Sequence, residues 1–433
     1  AARGVDAAPM DSIAPDRTHD PAARSWVESA NQPDHPFPLQ HLPLARVELE
    51  GQMHAVVGIG DEVLNLTLVA RQFGLPVQGL EYGSLLGLKD PVARRELRFW
   101  LFDELQRTDS ALRQSSLWVA QPVFALPFEI GDYSDFYASI HHATRVGSMF
   151  RPDNPLLPNY RWVPIGYHGR ASSVVVSDTP IPRPSGQLKA DEAEAPNFGK
   201  CKLLDYELEL GLWVGQGNDL GQPIPLSQVR QHWIGVSLVN DWSARDIQKW
   251  EYQPLGPFLA KSFATSCSPW VTTQEALIPF HCPAAPRGDE EPQPLGYLQD
   301  DLDQRWGGLN LELEVWLATS SMAEPERVSS SNSRDLYWTL GQMLAHHASN
   351  GCPMRPGDLL ASGTLSGPEP QSAGCLLELT WAGAGQPRQP VVLSGGQRVF
   401  LQDGDLVELR GWARRAGFRS LGLGVCRGRV CPG

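Results

Sequence analysis

Leu-Leu-Asp-Tyr-Glu-Leu-Glu-Leu-Gly-Leu-Trp-Val, residues 203–214, alternates acids with large apolar or aromatic residues before ending in an apolar run. That period predicts a β-strand. Side chains two apart share a strand face, so Glu207 and Glu209 stand side by side. Carboxylates that close repel each other unless a cation or a proton joins them. The spacing alone decides little, because Glu-x-Glu is ordinary on a solvent-facing strand. Leu311-Glu312-Leu313-Glu314 repeats it with no other chemistry nearby.

Working outward, Ser172–Val176, Trp233–Asn240, Leu309–Thr319, Leu376–Trp381 and Leu406–Arg410 also have strand character, separated by turn residues. Upstream, Ala45–Glu50 and Met53–Ile59 are extended, and Gly60-Asp61 reads as a hairpin turn before Val63–Val69. Leu97, Leu101 and Leu105 recur every four residues, which predicts an amphipathic helix over 92–114. Pro122 and Pro127 break that pattern and place a domain boundary. Three parts follow: a polar, flexible tail over 1–35, a small β-rich domain over 36–126, and a large β-sandwich or β-roll domain over 127–433. The segment Cys282–Gly308, rich in Pro, Gly and acids, reads as a solvated excursion.

The chain has 433 residues, a formal charge of −13 and 42% hydrophobic residues. The length and apolar content supply cores for more than one domain. The acidic balance argues against a general nucleic-acid or anionic-membrane surface, and no apolar stretch is long enough to span a bilayer. Seven widely spaced cysteines form no Cys-x-x-Cys pattern. They read as free thiols in a reducing, cytoplasmic compartment, with no catalytic task.

The Glu207/Glu209 pair has company. Asp135 lies in Gly-Asp-Tyr-Ser-Asp-Phe-Tyr, and Asp241 follows an apolar strand and opens Asp-Trp-Ser-Ala-Arg-Asp. If these four acids converge, the site is all-oxygen and suits Ca²⁺ or Mg²⁺, with Mn²⁺ as the alternative. Taken as a helix, Tyr133–Val146 puts Asp135, Ser139 and His142 on one face and turns His141 away. Near a metal, His142 is a natural general base. After Asp241, helical spacing aligns Arg245, Gln248 and Tyr252 in a polar stripe suited to an oxyanion or a carboxylate.

Together with Gly-Tyr-His-Gly-Arg-Ala-Ser-Ser (166–173), Asn-Asp-Trp-Ser-Ala-Arg-Asp-Ile-Gln (240–248) and Arg-Pro-Gly-Asp-Leu-Leu-Ala-Ser-Gly-Thr (355–364), these segments resemble the fumarylacetoacetase (fumarylacetoacetate hydrolase) family from about Phe37 to Val430. The tail and the Cys282–Gly308 loop depart from it. The resemblance implies a mainly β chain with some helix: a small SH3-like N-terminal barrel, then the family's catalytic fold, assembled as a homodimer. It implies metal ligation by Asp135, Glu207, Glu209 and Asp241, with a further cation position that adds Lys261, through its backbone oxygen, and Thr265. His142 matches the catalytic base and Glu378 the acid that orients it. Arg245, Gln248 and Lys261 match the oxyanion-stabilising set. Tyr137, Arg151, Tyr167, Gln248, Tyr252 and Thr364 match substrate contacts.

The implied activity is hydrolysis of a carbon–carbon bond in a small dicarboxylic β-diketone, the final step of tyrosine and phenylalanine breakdown. No nucleic-acid or membrane partner is implied. A relative acting on another β-diketo or acylpyruvate-type acid is the alternative. A silent scaffold on the same fold would have lost a ligand or the base, and all are present here.

Overall fold

A computed structural model describes residues 13–433. β1 (Leu44–Leu49), β2 (Gln52–Ile59) and β3 (Glu62–Asn65) form an antiparallel meander, and β4 (Val123–Ala125) returns to pair with β1. Ile59 pairs with Glu62 across the Gly60-Asp61 turn, where Gly60 takes a positive φ of 54°. The strand expected to reach Val69 stops at Asn65. The Asn65 side chain accepts the Leu68 N–H and starts α1 (Leu66–Phe73) instead.

The helix predicted over 92–114 is shorter. α2 (Pro91–Glu104) is capped by Asp90 and buries Leu97 and Leu101, as the periodicity required. It ends early because its last carbonyls find partners: the Trp26 indole donates to Glu104 O, and Ser25 Oγ and Trp26 N donate to Leu105 O. Those donors belong to the segment expected to be a polar, flexible tail, which from residue 13 onward is instead packed on the fold. Residues 1–12 lie outside the described residues, but Asp16 caps a short turn at Arg17–His19, and Val27 and Ala30 are buried. Arg98, buried in α2, donates to Thr18 Oγ1, Gln40 O and His41 O. Residues 13–35 are held by polar capping, which leaves no hydrophobic periodicity to read.

The large sheet has eight strands. β5 (Tyr133–Phe136) pairs with β6 (Gly166–His168) on one side and, in parallel, with Leu359–Ala361 on the other. α3 (Ile140–Phe150) follows β5, and β7 (Val174–Val176) is the far edge. At the centre lie β8 (Leu208–Val214) and β9 (Trp233–Asp241), next to β10 (Thr265–Cys267). Both central strands are buried along their whole length, as expected where both sheet faces are covered. The cover on one face is a second, five-stranded sheet containing β11 (Leu311–Ala318). Its Leu311, Leu313 and Val315 share one core with Leu210, Leu212, Val236 and Leu238. Glu312 and Glu314 pair with Arg414 and Arg327, so the second Glu-x-Glu is a salt-bridged strand face, half-exposed at Glu312 and mostly covered at Glu314.

Three further expectations change. Tyr133–Val146 is not one helix: β5 ends at Phe136 and Ser139 caps α3, its Oγ accepting the His142 N–H. The Leu376–Trp381 strand is a short helix, because the Asp205 carboxylate takes the N–H groups of Leu376 and Leu377 at 2.9 Å each. α4 spans Arg245–Glu251 as the stripe implied. Part of Cys282–Gly308 is packed, since α5 (Asp301–Trp306) follows a fully buried Leu298. The helix carrying Glu378 is α6 (Leu376–Leu379).

Candidate active site

Sheet register brings the acids together. Asp135 on β5 sits opposite Tyr167 on one side and Ala361 on the other, and Ala361 sits opposite Gly211 on β8. Glu209 pairs with Val239, two residues before Asp241, and Asp241 pairs with Thr265. Glu207 lies just before β8, its N–H bound by Asn240 Oδ1. Neighbouring strand ends thus carry Asp135, Glu207, Glu209 and Asp241 to one place, with ligand oxygens within 4.8 Å of one another.

All four acids are buried, and their environments differ. Glu207 is ringed by cations: Lys261 Nζ donates to it at 2.6 Å and Arg245 Nη1 at 2.7 Å. Burial alone would raise its pKa, but Lys261 and Arg245 outweigh that and hold it well below the usual range. Asp135 and Asp241 share the Tyr167 hydroxyl, and Lys261 also donates to Asp241 at 2.7 Å. Burial, then Asp241, pushes Asp135 up. Glu209 has no hydrogen-bond partner on either oxygen. Burial, then Asp135 and Asp241, pushes its pKa well above the ordinary value. A fully buried carboxylate facing three others, with both oxygens free, is the feature a hard divalent cation satisfies. No His or Cys stands among the four, which disfavours zinc.

A pocket of about 530 Å³ opens beside this cluster. Asp135 and Glu207 line it, with His142, Tyr137, Arg151 and Tyr167. Arg245, Gln248, Tyr252, Lys261 and Thr364 line it as well. Glu209, Asp241, Thr265 and Glu378 are buried and do not line it. His141 does not line it; the capped start of α3, and not one helix shared with Asp135, sets the two adjacent histidines apart. Tyr137 packs edge-on against the His142 ring at 5.4 Å between centroids. Two donors are left over: Arg245 Nη2 and Thr364 Oγ1 are buried without a partner. Unmatched donors on a pocket wall are what a polar ligand completes.

Behind His142 lies Glu378, whose Oε2 is 2.6 Å from Nδ1. Burial would raise Glu378, but His142 and three hydrogen bonds hold it down to about 2. The sequence reading missed most of its surroundings. Ser366 Oγ and Cys375 Sγ donate to the same Oε2, and Arg145 Nη1 to Oε1. All seven cysteines are free, yet Cys375 does touch the site, three residues before Glu378. Asp205 was also missed: it accepts from Arg245 Nε at 3.0 Å and caps α6. Its signal was present, since Asp205, Glu207 and Glu209 follow at steps of two.

Comparison with known proteins places the chain among relatives. A family model described as fumarylacetoacetate hydrolase, C-terminal, matches residues 133–431. The fumarylacetoacetases of Bos taurus and Homo sapiens are each 46% identical to this chain over 427 residues, covering 94% of it and 99% of their own length. That of Arabidopsis thaliana is 43% identical over 417 residues, covering 92% and 96%. Among solved structures, a fumarylacetoacetate hydrolase from psychrophilic Exiguobacterium antarcticum superposes with a TM-score of 0.50 at 17% identity, covering 90% of this chain and 100% of that one.

Proposed function

This chain belongs to the fumarylacetoacetate hydrolase family, and on that premise we propose that it hydrolyses the carbon–carbon bond of 4-fumarylacetoacetate to fumarate and acetoacetate, the last step of tyrosine and phenylalanine degradation. The observation that carries the reading is the juxtaposition of a Glu378–His142 pair and four buried acids at one pocket.

Breaking this bond expels a carbanion, so the chemistry needs a nucleophile, an oxyanion site and a charge sink. Asp135, Glu207, Glu209 and Asp241 are the residues that would hold Ca²⁺ or Mg²⁺, or Mn²⁺, and the ion, when bound, supplies Lewis-acid stabilisation of a developing enolate. Lys261, through its backbone oxygen, and Thr265 would serve a further cation position beside Asp241. Because Glu378 engages Nδ1 of His142, Nε2 is the nitrogen left to take a proton from water. That water adds to the fumaroyl carbonyl. Arg245 Nη2, Gln248 and Lys261 donate to the alkoxide it creates. Collapse breaks the carbon–carbon bond, and the acetoacetate fragment takes up the proton. Tyr137, Arg151, Tyr167, Gln248, Tyr252 and Thr364 orient the diacid.

The rest of the reading concerns assembly. Residues 36–126 form an SH3-like domain, which the four-stranded antiparallel sheet supports, and 127–433 the catalytic domain. The protein is a homodimer. The apolar loop beside Tyr252, with Leu255 95% and Phe258 70% exposed, supports a covered surface there. Seven free thiols accord with a cytoplasmic location, and no described helix is long and apolar enough to cross a membrane.

The test is loss of diketone absorbance on adding 4-fumarylacetoacetate, before and after chelation, with Mg²⁺ or Ca²⁺ restored. Metal-dependent release of fumarate is expected. Faster turnover of an acylpyruvate than of the diacid would overturn the substrate assignment.

A further inference from the structure

Five cationic side chains line the pocket: Arg151, Arg245, Lys249, Lys261 and Arg388. Three are engaged by acids of the protein itself. Arg245 is held by Asp205 and Glu207, Lys261 by Glu207 and Asp241, and Lys249 by Asp191. Arg151 and Arg388 have no carboxylate partner among the described residues; their guanidinium groups donate only to backbone oxygens, a hydroxyl and a thioether. Arg151 matches a family substrate contact. Arg388 lies within the matched span, but the resemblance assigns it no role.

Arg388 is well placed to be a fixed cation. Its Nη1 donates to Leu377 O at 2.7 Å and to Thr380 Oγ1 at 2.9 Å, which ties one edge of the guanidinium to the helix bearing Glu378. Its carbon sits 5.3 Å from the Phe400 ring centroid. Nη2 has only the Met149 sulfur, at 4.0 Å. A planar fork braced along one edge keeps donors for a carboxylate and loses little freedom on binding one.

The substrate sets the demand. A diketo acid with a carboxylate at each end must enter a pocket already walled by Asp135 and Glu207. Each end therefore needs a cation of its own, and two cations lack an acid. Resting on the functional reading above, we propose that Arg388 binds one terminal carboxylate of the diketo diacid and makes the site selective for dicarboxylic substrates. Arg151 takes the other end.

The experiment compares metal-loaded wild type, Arg388→Gln and Arg388→Lys. Turnover of 4-fumarylacetoacetate gives kcat and KM, and calorimetry gives the affinities for fumarate and for acetoacetate. Arg388→Gln should raise KM about 10–100-fold, the effect of a lost charged hydrogen bond, with kcat changed less than about threefold. Affinity for one product should fall by at least about tenfold and thereby identify the end that Arg388 holds. Arg388→Lys should recover part of the KM. A fall in kcat at unchanged KM would mean that the guanidinium only braces α6, and would overturn the inference. So would unchanged KM and product affinities in an active protein. A wild type that leaves the diacid intact would instead overturn the functional reading on which the inference rests.

Discussion

His142 Nδ1 and Glu378 Oε2 lie 2.6 Å apart, although 236 positions separate the residues in sequence. Two local capping events make that contact. Ser139 starts α3 so that His142 falls in its first turn, and Asp205 starts α6 so that Glu378 falls in its own. The pairing fixes the imidazole tautomer and favours the imidazolium formed when water loses its proton. His142→Ala should lower kcat by at least ~10² with metal binding retained. His141→Ala, outside the pocket, should change it far less. Glu378→Gln should lie close to His142→Ala, because groups acting as a unit are not additive. Steady-state kinetics with metal content measured in parallel decides this. An inactive His141→Ala beside an active, folded His142→Ala would sink the assignment.

Glu209 gives the metal prediction its sign. Its two oxygens are buried without partners among three other acids, so without a cation the cluster repels itself. Glu209→Gln should therefore leave the chelated protein at least as resistant to heat as chelated wild type. It should also abolish most of the gain in melting temperature that added Mg²⁺ or Ca²⁺ gives wild type. Thermal scans with and without the ion read both effects. A chelated variant that melts well below chelated wild type would show that Glu209 has a structural partner and no metal to hold.

Strand character was legible wherever the apolar period was clean. Leu311–Val315 alternates and is a half-buried strand, and Trp233–Val239, apolar except for Ser237, lies in a strand covered on both faces. The misreadings share one cause: side-chain caps end or start an element where hydrophobic pattern is silent. Asn65 turns a strand into α1, Trp26 and Ser25 stop α2, and Asp205 makes a helix of Leu376–Leu379. The acids of the site were legible as residue types in company, but their convergence depends on register across non-consecutive strands, which no local pattern encodes. Arg388 was invisible for a related reason. Its importance lies in what fails to pair with it.

Gly363 offers a test of how finely that register is set. Its backbone N–H donates to Asp135 Oδ1 at 3.0 Å, and its φ is +75°. A Cβ there would lie 2.1 Å from Phe136 O, on the strand that presents Asp135. Gly363→Ala must therefore push β5 away as well as adopt a left-handed backbone. Activity should fall at least about tenfold, and apparent metal affinity should weaken. Gly417→Ala has a similar φ of +84° but nothing within 4 Å of its Cβ. It should cost about 1 kcal/mol of stability from the backbone alone, with kinetics unchanged. Equal kinetic effects at both positions would mean that strain, and not the displaced Asp135, is what matters.

Asp303 separates stability from catalysis, since it lies outside the pocket that holds the site. It sits in α5, buried, with both carboxylate oxygens accepting from Thr339 Oγ1 at 3.0 Å. Burial pushes its pKa up to about 6, against the smaller opposing effect of the Thr339 hydrogen bond. An acid whose folded pKa lies above its unfolded value of 3.8 prefers to be protonated in the folded state. Its contribution is therefore fully present below about pH 4 and is lost as pH rises to about 6. Asparagine matches the protonated shape and cannot ionise. Asp303→Asn should thus melt higher than wild type at pH 7.5, by the equivalent of ~1–3 kcal/mol, and the difference should vanish near pH 4. Melting temperatures of both proteins across pH 4–8 give the curve. A difference that stays constant with pH would mean that Asp303 is ionised in the fold at little cost, and that the Thr339 contact offsets its burial.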